Sequence, residues 1–429
     1  MLVKIIQHRS KRSGLAVLSK VVLRTSVALR LNSNLLWLIF FTTCVSPVPS
    51  VLAQAKPDKD YLVYVLSEAA DKISLVRFGP SGARVDHELS TGDMAIDIDG
   101  PHGIAVARDQ QSYFVSLAHG RPFGSVWKYS TKDDRVVGRV RLGLFPATMD
   151  LNADGSLLYV VNFNLHGDMT PSSVSVVATE PMIEVARIPT CTMPHGSRLN
   201  PQGTKHYSAC MMDDMLVEID TQTLKVSRHF LLTKGREKGV SGAIKAAPQE
   251  KAATARGHQH SANTNRIDTG GHGMEPPKAG DNSCSPTWAH PSVTGSSIFV
   301  ACNKSSEIVE VDAAQWIVLR RIPARAGVYN LAVTKDGTRL LATNKRDQSV
   351  TIIDLKSGSE LARIPTRRSV LHGVVISPDD RYAFVSVEGV GAEPGTVEII
   401  DLAARKIVAT VDVAAEAAGI DFFRTEPAK

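Results

Sequence analysis

The sequence predicts an all-β chain folded as a seven-bladed β-propeller whose last blade is completed by both chain ends. Three observations predict it. A four-strand pattern recurs about every 44 residues, and a turn residue falls at one fixed place in each repeat. A surplus of three strands at the beginning is matched by one lone strand at the end.

Composition sets the frame for the elements. The 429 residues are 43% hydrophobic and 21% charged, enough to build a large core. The formal charge of +6 is carried by the leader: residues 1–53 hold seven Lys or Arg and no acid, leaving 42 bases against 43 acids. A near-neutral body excludes nucleic acid as a partner held by bulk charge. Residues 1–53 run from a basic segment to an apolar one (Leu35–Val45), then to Ser46, Pro47 and Pro49, then Val51-Leu52-Ala53. That order predicts a secretory signal peptide, and hence a periplasmic or secreted protein. Eleven apolar residues are short for a membrane span, so a membrane role is expected only through an uncleaved leader.

The propeller is expected over 54–429. Tyr61–Ser67, Lys72–Phe78 and Arg84–Leu89 read as the three surplus strands. The repeats then begin at His102, Ala147, His195, Thr287, Tyr329 and His372, and Ala418 opens the final lone strand. Eight residues after each of the six repeat starts comes Gln110, Gly155, Gly203, Gly295, Gly337 or Asp380, as a turn needing positive φ requires. Further along come Ile219-Asp220, Val311-Asp312, Ile353-Asp354 and Ile400-Asp401, whose carboxylates are suited to cap the next turn. The gap of 92 residues between His195 and Thr287 holds one repeat plus a polar, His-containing insertion, 236–283.

Leu340-Leu341-Ala342-Thr343-Asn344 followed by Ser349-Val350-Thr351-Ile352-Ile353-Asp354 resembles the repeat of YVTN/YncE-like propellers. So do Tyr159-Val160-Val161-Asn162 and Ile298-Phe299-Val300-Ala301-Cys302-Asn303. The resemblance covers nearly all of 54–429. It implies kinship in shape with the propellers of nitrous oxide reductase, cytochrome cd1 and quinone-dependent amine dehydrogenases. It assigns no reaction, since fold does not fix chemistry.

Propeller geometry turns positions into places. His102, His195 and His372 stand at matched starts of channel strands, so their rings are expected at one channel mouth, where imidazoles suit copper, zinc or heme iron. The competing role for a His before Gly is to cap the start of the strand through a ring nitrogen. Tyr329 holds the same position in another blade, and His290 lies three residues into a channel strand. Cys191 with Cys210 and Cys284 with Cys302 are 19 and 18 residues apart, a repeated relation that predicts two intra-blade disulfides. The alternative for Cys210 is a soft copper site with Met211 and Met212 beside His195. His258, His260 and His272 in the insertion form a further metal-recruiting candidate.

No phosphate loop, nucleophile elbow, His-Glu-x-x-His or Cys-x-x-Cys-His occurs, so the corresponding enzyme classes and a covalent c-type heme are not expected. The expected function is an exported propeller acting as a binding or scaffold protein, whose His/Cys-rich face takes a metal ion, a small ligand or a partner protein. The alternative is a periplasmic oxidoreductase using copper or a dissociable cofactor at the channel mouth. The residues leave cofactor and catalytic groups open.

Overall fold

A computed structural model describes residues 56–94, 97–120, 123–242 and 283–429. The leader 1–53 and the insertion's His258, His260 and His272 lie outside the described residues.

Seven antiparallel sheets form the ring. Blades 1 to 6 have their innermost strands at Pro101–Val106, Pro146–Leu151, Pro194–Leu199, Pro286–Pro291, Val328–Val333 and Leu371–Ile376. In each, three further strands follow outward in chain order. Blade 7 is built from both ends: Ala417–Pro427 is innermost, followed by Lys59–Ser67, Lys72–Gly79 and Gly82–Ser90. The register runs from Lys59 opposite Pro427 to Ser67 opposite Ala417. Radial repetition of this kind leaves only short edges, at the channel and at the rim.

Arg77 sits at the heart of that closing blade. Its guanidinium pairs with Asp60 at 2.9 Å, Asp86 at 2.8 Å and Glu426 at 2.8 Å. One side chain thereby binds all four strands of blade 7, joining the first described strand to the last.

Apolar alternation supplies the core. The main clusters straddle adjacent blades: Tyr207, Leu216 and Phe230 of blade 3 pack on Ile298, Val300 and Val309 of blade 4. The innermost two or three strands are almost wholly buried while the outermost alternate, as in Val136–Arg141. The turn positions read from sequence adopt the left-handed conformation, from Asp380 at φ 55° to Gly295 at 74°. The repeated aspartates cap as expected: Asp220 Oδ1 accepts from the Thr223 amide at 2.8 Å, and Asp354 Oδ1 from Ser357 at 2.7 Å.

Two expectations need correction. Both disulfides form, but only Cys284–Cys302 lies within one blade. Cys191 belongs to Ile183–Thr192, the outermost strand of blade 2, and Cys210 ends the second strand of blade 3. The outer strand of one blade runs on over the face towards the next channel strand, so this bond staples two blades together. The insertion also starts inside the fold rather than beyond it. Lys238–Ser241 adds a fifth strand to blade 3, pairing with Arg228–Leu231.

Candidate functional site

Two concentric rings of residues form one face of the propeller. The inner ring is His102, Ala147, His195, Thr287, Tyr329, His372 and Ala418, the second residue of each innermost strand. The outer ring is the residue just after each second strand: Ala118, Phe163, Met211, Asn303, Lys345, Glu388 and Glu68. A backbone hydrogen bond fixes one ring to the other in all seven blades. The outer-ring amide donates to the carbonyl two residues before the inner-ring position, from 2.8 Å at Phe163 to 3.2 Å at Asn303. That accepting residue has positive φ in every blade: Gly100, Phe145, Met193, Ser285, Gly327, Val370 and Glu416. Five of the seven are not glycine, and a β-branched Val370 at φ 66° is held there by the blade architecture against its own preference.

The His-Gly pairs have a packing cause. A Cβ on Gly103 would lie 1.9 Å from the Ala147 carbonyl oxygen, and one on Gly196 would lie 2.5 Å from that of Thr287. Glycine lets adjacent innermost strands approach around the channel. Hydroxyls then tie blade to blade: Thr148, Thr287, Thr343 and Ser386 donate to the carbonyls of His195, Tyr329, His372 and Ala418.

Four inner-ring side chains converge. Ring centroids are 5.1 Å apart for His102–His372, 6.3 Å for His102–His195, 5.4 Å for His195–Tyr329 and 5.2 Å for Tyr329–His372. All four are buried. Their outward nitrogens are held. His102 Nδ1 donates to Glu68 Oε2 at 2.7 Å, and His195 Nδ1 to the Thr287 carbonyl at 3.0 Å. His372 Nδ1 faces the Ala418 backbone without a hydrogen bond of full geometry. Inward, Tyr329 Oη donates to His195 Nε2 at 3.0 Å and stands 3.5 Å from His372 Nε2. His102 Nε2 is buried with no partner. The capping role and the inward-facing role thus divide between the two nitrogens of one ring.

Charge follows from burial. Desolvation, with the neighbouring His102, pushes the His195 imidazolium down to about 3. Burial, then Lys345 and the adjacent imidazoles, takes His372 well below its ordinary value. Burial raises the Tyr329 phenol to about 12. His195, His372 and Tyr329 are therefore neutral and offer imidazole lone pairs and one phenol. Charges surround them in the outer ring. Burial opposes the Glu68 carboxylate, but His102 and His119 outweigh it and hold it at about 2. His119 Nε2 lies 2.7 Å from Glu68 Oε1 and is raised chiefly by that hydrogen bond. Burial opposes the Lys345 ammonium, and Glu388 at 2.8 Å outweighs it. That ammonium lies 4.1 Å from the Tyr329 ring centroid.

Beside the rings a groove of about 1290 Å³ opens over blades 7, 1 and 2. Glu68, His119, His166 and Phe145 form its inner wall, and Trp127 with Arg139 its outer one. His119 and His166 have ring centroids 5.4 Å apart. Glu68 thus joins the groove to the buried imidazoles.

Of the remaining sequence candidates, Cys210 is committed to its disulfide and offers no thiolate. Met211 and Met212 pack on Phe145, Phe163 and Met193. His290 lies elsewhere along the channel, its Nδ1 2.8 Å from its neighbour's carbonyl, and burial lowers it to about 4. No group of three His, Cys, Asp or Glu among the described residues is preassembled to hold a metal ion. Sequence reasoning gave no role to Glu68, Lys345 or Glu388. For Lys345 and Glu388 the signal is a spacing: the outer-ring residue follows the inner-ring one by sixteen positions in blades 1 to 6.

Comparison with known proteins agrees on fold. Residues 337–426 match the cytochrome D1 heme domain family. No curated protein matches the chain. Among solved structures, Kuenenia stuttgartiensis hydrazine synthase is 18% identical over 77% of this chain and 92% of its own, with a TM-score of 0.54. A protein from Lactobacillus plantarum is 13% identical over 85% and 100%, with a TM-score of 0.60. The β-propeller domain of Myceliophteria thermophila Cps50 (Swd1) is 12% identical over 74% and 88%, with a TM-score of 0.52. These likenesses establish a β-propeller. The segment matching the heme-domain family contains His372, Lys345, Glu388 and Glu416, whereas Phe145, His119, Trp127 and Arg139 of the groove lie outside it.

Proposed function

We propose that this chain is an exported, YncE-like propeller that binds a metal ion or small ligand at the ring of His102, His195, Tyr329 and His372. The observation that carries the reading is the division of labour within each imidazole. Neighbouring blades occupy the outward nitrogens of His102 and His195, and the inward edges converge on one centre with a phenol. Neutral imidazole is the metal-ligating form, and outer acceptors such as Glu68 and the Thr287 carbonyl orient such ligands. Copper and zinc are the ions this donor set suits. The groove at Glu68 and His119 is the face for a larger ligand or partner protein. Two disulfides fit an oxidising compartment and hence export.

The test is elemental analysis of the protein isolated from its native compartment, followed by titration of the metal-free protein with Cu(I), Cu(II) and Zn(II). One equivalent of copper or zinc is expected, with affinity lost at least tenfold in His195→Ala and His372→Ala. Metal-free protein showing no saturable uptake overturns the metal reading and leaves the groove as the ligand site.

The phenol touching His195 favours a second reading, a periplasmic oxidoreductase at the same centre. Copper would there supply one-electron chemistry. Tyr329 would hold a proton at Oη beside the donor nitrogens of His195 and His372. A bound metal that ascorbate cannot reduce, or activity unaltered in Tyr329→Phe, removes this reading.

A further inference from the structure

Directly beneath the ring, the propeller axis holds a cavity of about 30 Å³ lined by His102, Thr148, Arg198, Trp288, Asn330 and His372 among others. Besides His372 Nδ1, which faces the Ala418 backbone, three polar atoms on its lining residues have no hydrogen-bond partner: His102 Nε2, Trp288 Nε1 and Asn330 Oδ1. Their side chains are buried, at 7%, 4% and 4% exposure. Burying a polar group unpaired is unfavourable, so three lining one cavity need a common explanation.

We propose that this cavity is a binding site for one ordered water molecule, hydrogen-bonded to all three atoms. The size fits, because one water needs about 10–15 Å³ of such space. The hydrogen-bond inventory selects the guest. Trp288 Nε1 only donates, so the guest must accept. Asn330 Oδ1 only accepts, so the guest must also donate. His102 Nδ1 is committed to the Glu68 carboxylate, so Nε2 is the ring atom left to meet the guest. A small guest that both accepts and donates is water. A halide cannot donate, and a metal cation cannot accept from an indole N–H. Arg198, whose guanidinium lies 5.0 Å from the Trp288 ring centroid, lines the same cavity, so the water stands between His102 and that cation.

The site shares His102 with the proposed metal centre but is read in metal-free protein, so the two stand or fall separately. A high-resolution crystal structure of the metal-free protein should show one density peak about 2.7–3.2 Å from Trp288 Nε1 and Asn330 Oδ1. In Asn330→Leu, which fills the space, the peak should vanish. Trp288→Phe should weaken it while keeping the volume. Oxygen-17 relaxation dispersion in solution should count one fewer long-lived water in Asn330→Leu, giving a readout that needs no crystals. An empty cavity in the wild type, an unchanged water count, or an anomalous peak there after a bromide soak overturns the proposal.

Discussion

Glu68 accepts a hydrogen bond from His102 Nδ1 at 2.7 Å through one carboxylate oxygen and lies 2.7 Å from His119 Nε2 through the other. A residue from the N-terminal part of blade 7 thereby orients the buried imidazole of blade 1 and anchors the groove-lining one.

The pH dependence of this pair follows from the two shifts. Glu68 is depressed to about 2, so its contribution to stability is present above the ordinary value of 4.5 and fades as pH falls towards 2. His119 is raised above 6.5, so its contribution is full below 6.5 and fades as pH rises through the raised value. Both contributions are complete only between about 4.5 and 6.5. In Glu68→Gln the His119 ring should titrate at lower pH, and the stability–pH profile should flatten on both flanks. NMR titration of the His119 ring protons reads the first effect; an unchanged midpoint would show that the carboxylate does not set it.

Buried neutral imidazoles give the opposite acid response. His195 is depressed from 6.5 to about 3, and His372 moves the same way. The unfolded chain therefore binds more protons in this window, and stability falls as pH drops from about 6.5 towards 3. Urea melts at pH 7, 5.5 and 4.5 should show this decline in the wild type and a shallower one in His195→Gln. Parallel declines in the two proteins would remove His195 as a source.

How far this face was legible in the sequence depends on which constraint sets each residue. The fold was readable because strand periodicity and the turns at Gly203, Gly295 and Gly337 obey local rules repeated at a fixed spacing. His102, His195 and His372 were readable because the repeat aligned them and Gly followed each one. Glu68 was hidden: its blade is split between the chain ends, so no fixed spacing links it to Ala418, its inner-ring counterpart. The left-handed residues at Phe145, Met193 and Val370 were hidden too, because a ring-wide hydrogen bond imposes their conformation and local propensity argues against it. The inter-blade course of Cys191–Cys210 required knowing that the outer strand of blade 2 extends to Thr192.

Arg77 tests the closure. It is 2% exposed and pairs with carboxylates on each of the other three strands of blade 7. Removing one partner of a buried ion cluster leaves uncompensated charge, a cost of about 3–5 kcal/mol. Arg77→Ala should lower the denaturation midpoint accordingly and release Ala417–Pro427 first, since Glu426 would lose that contact. Hydrogen exchange resolved by segment reads this directly. Arg77→Lys keeps the charge without the planar fork and should recover only part of the loss. Uniform exchange across the ring in Arg77→Ala would show that closure rests on the strand pairing alone.

Two glycines of blade 3 should separate packing from backbone freedom. Gly196 follows His195, and a Cβ there would lie 2.4 Å from Trp288 Cε3 and 2.5 Å from the Thr287 carbonyl oxygen. Neither neighbour is the free end of a flexible chain, and the Thr287 carbonyl is the acceptor that orients His195. Gly196→Ala should therefore cost about 1–3 kcal/mol by overpacking and weaken ligand or metal binding at the ring. Gly203 sits in the exposed turn at φ 69° with nothing within 4 Å of its would-be Cβ. Gly203→Ala carries only the left-handed penalty, about 1–2 kcal/mol, and should leave binding unchanged. Melting curves and metal titrations on both variants read the contrast. Equal effects on binding would mean that blade stability, rather than the His195–Thr287 contact, controls the site.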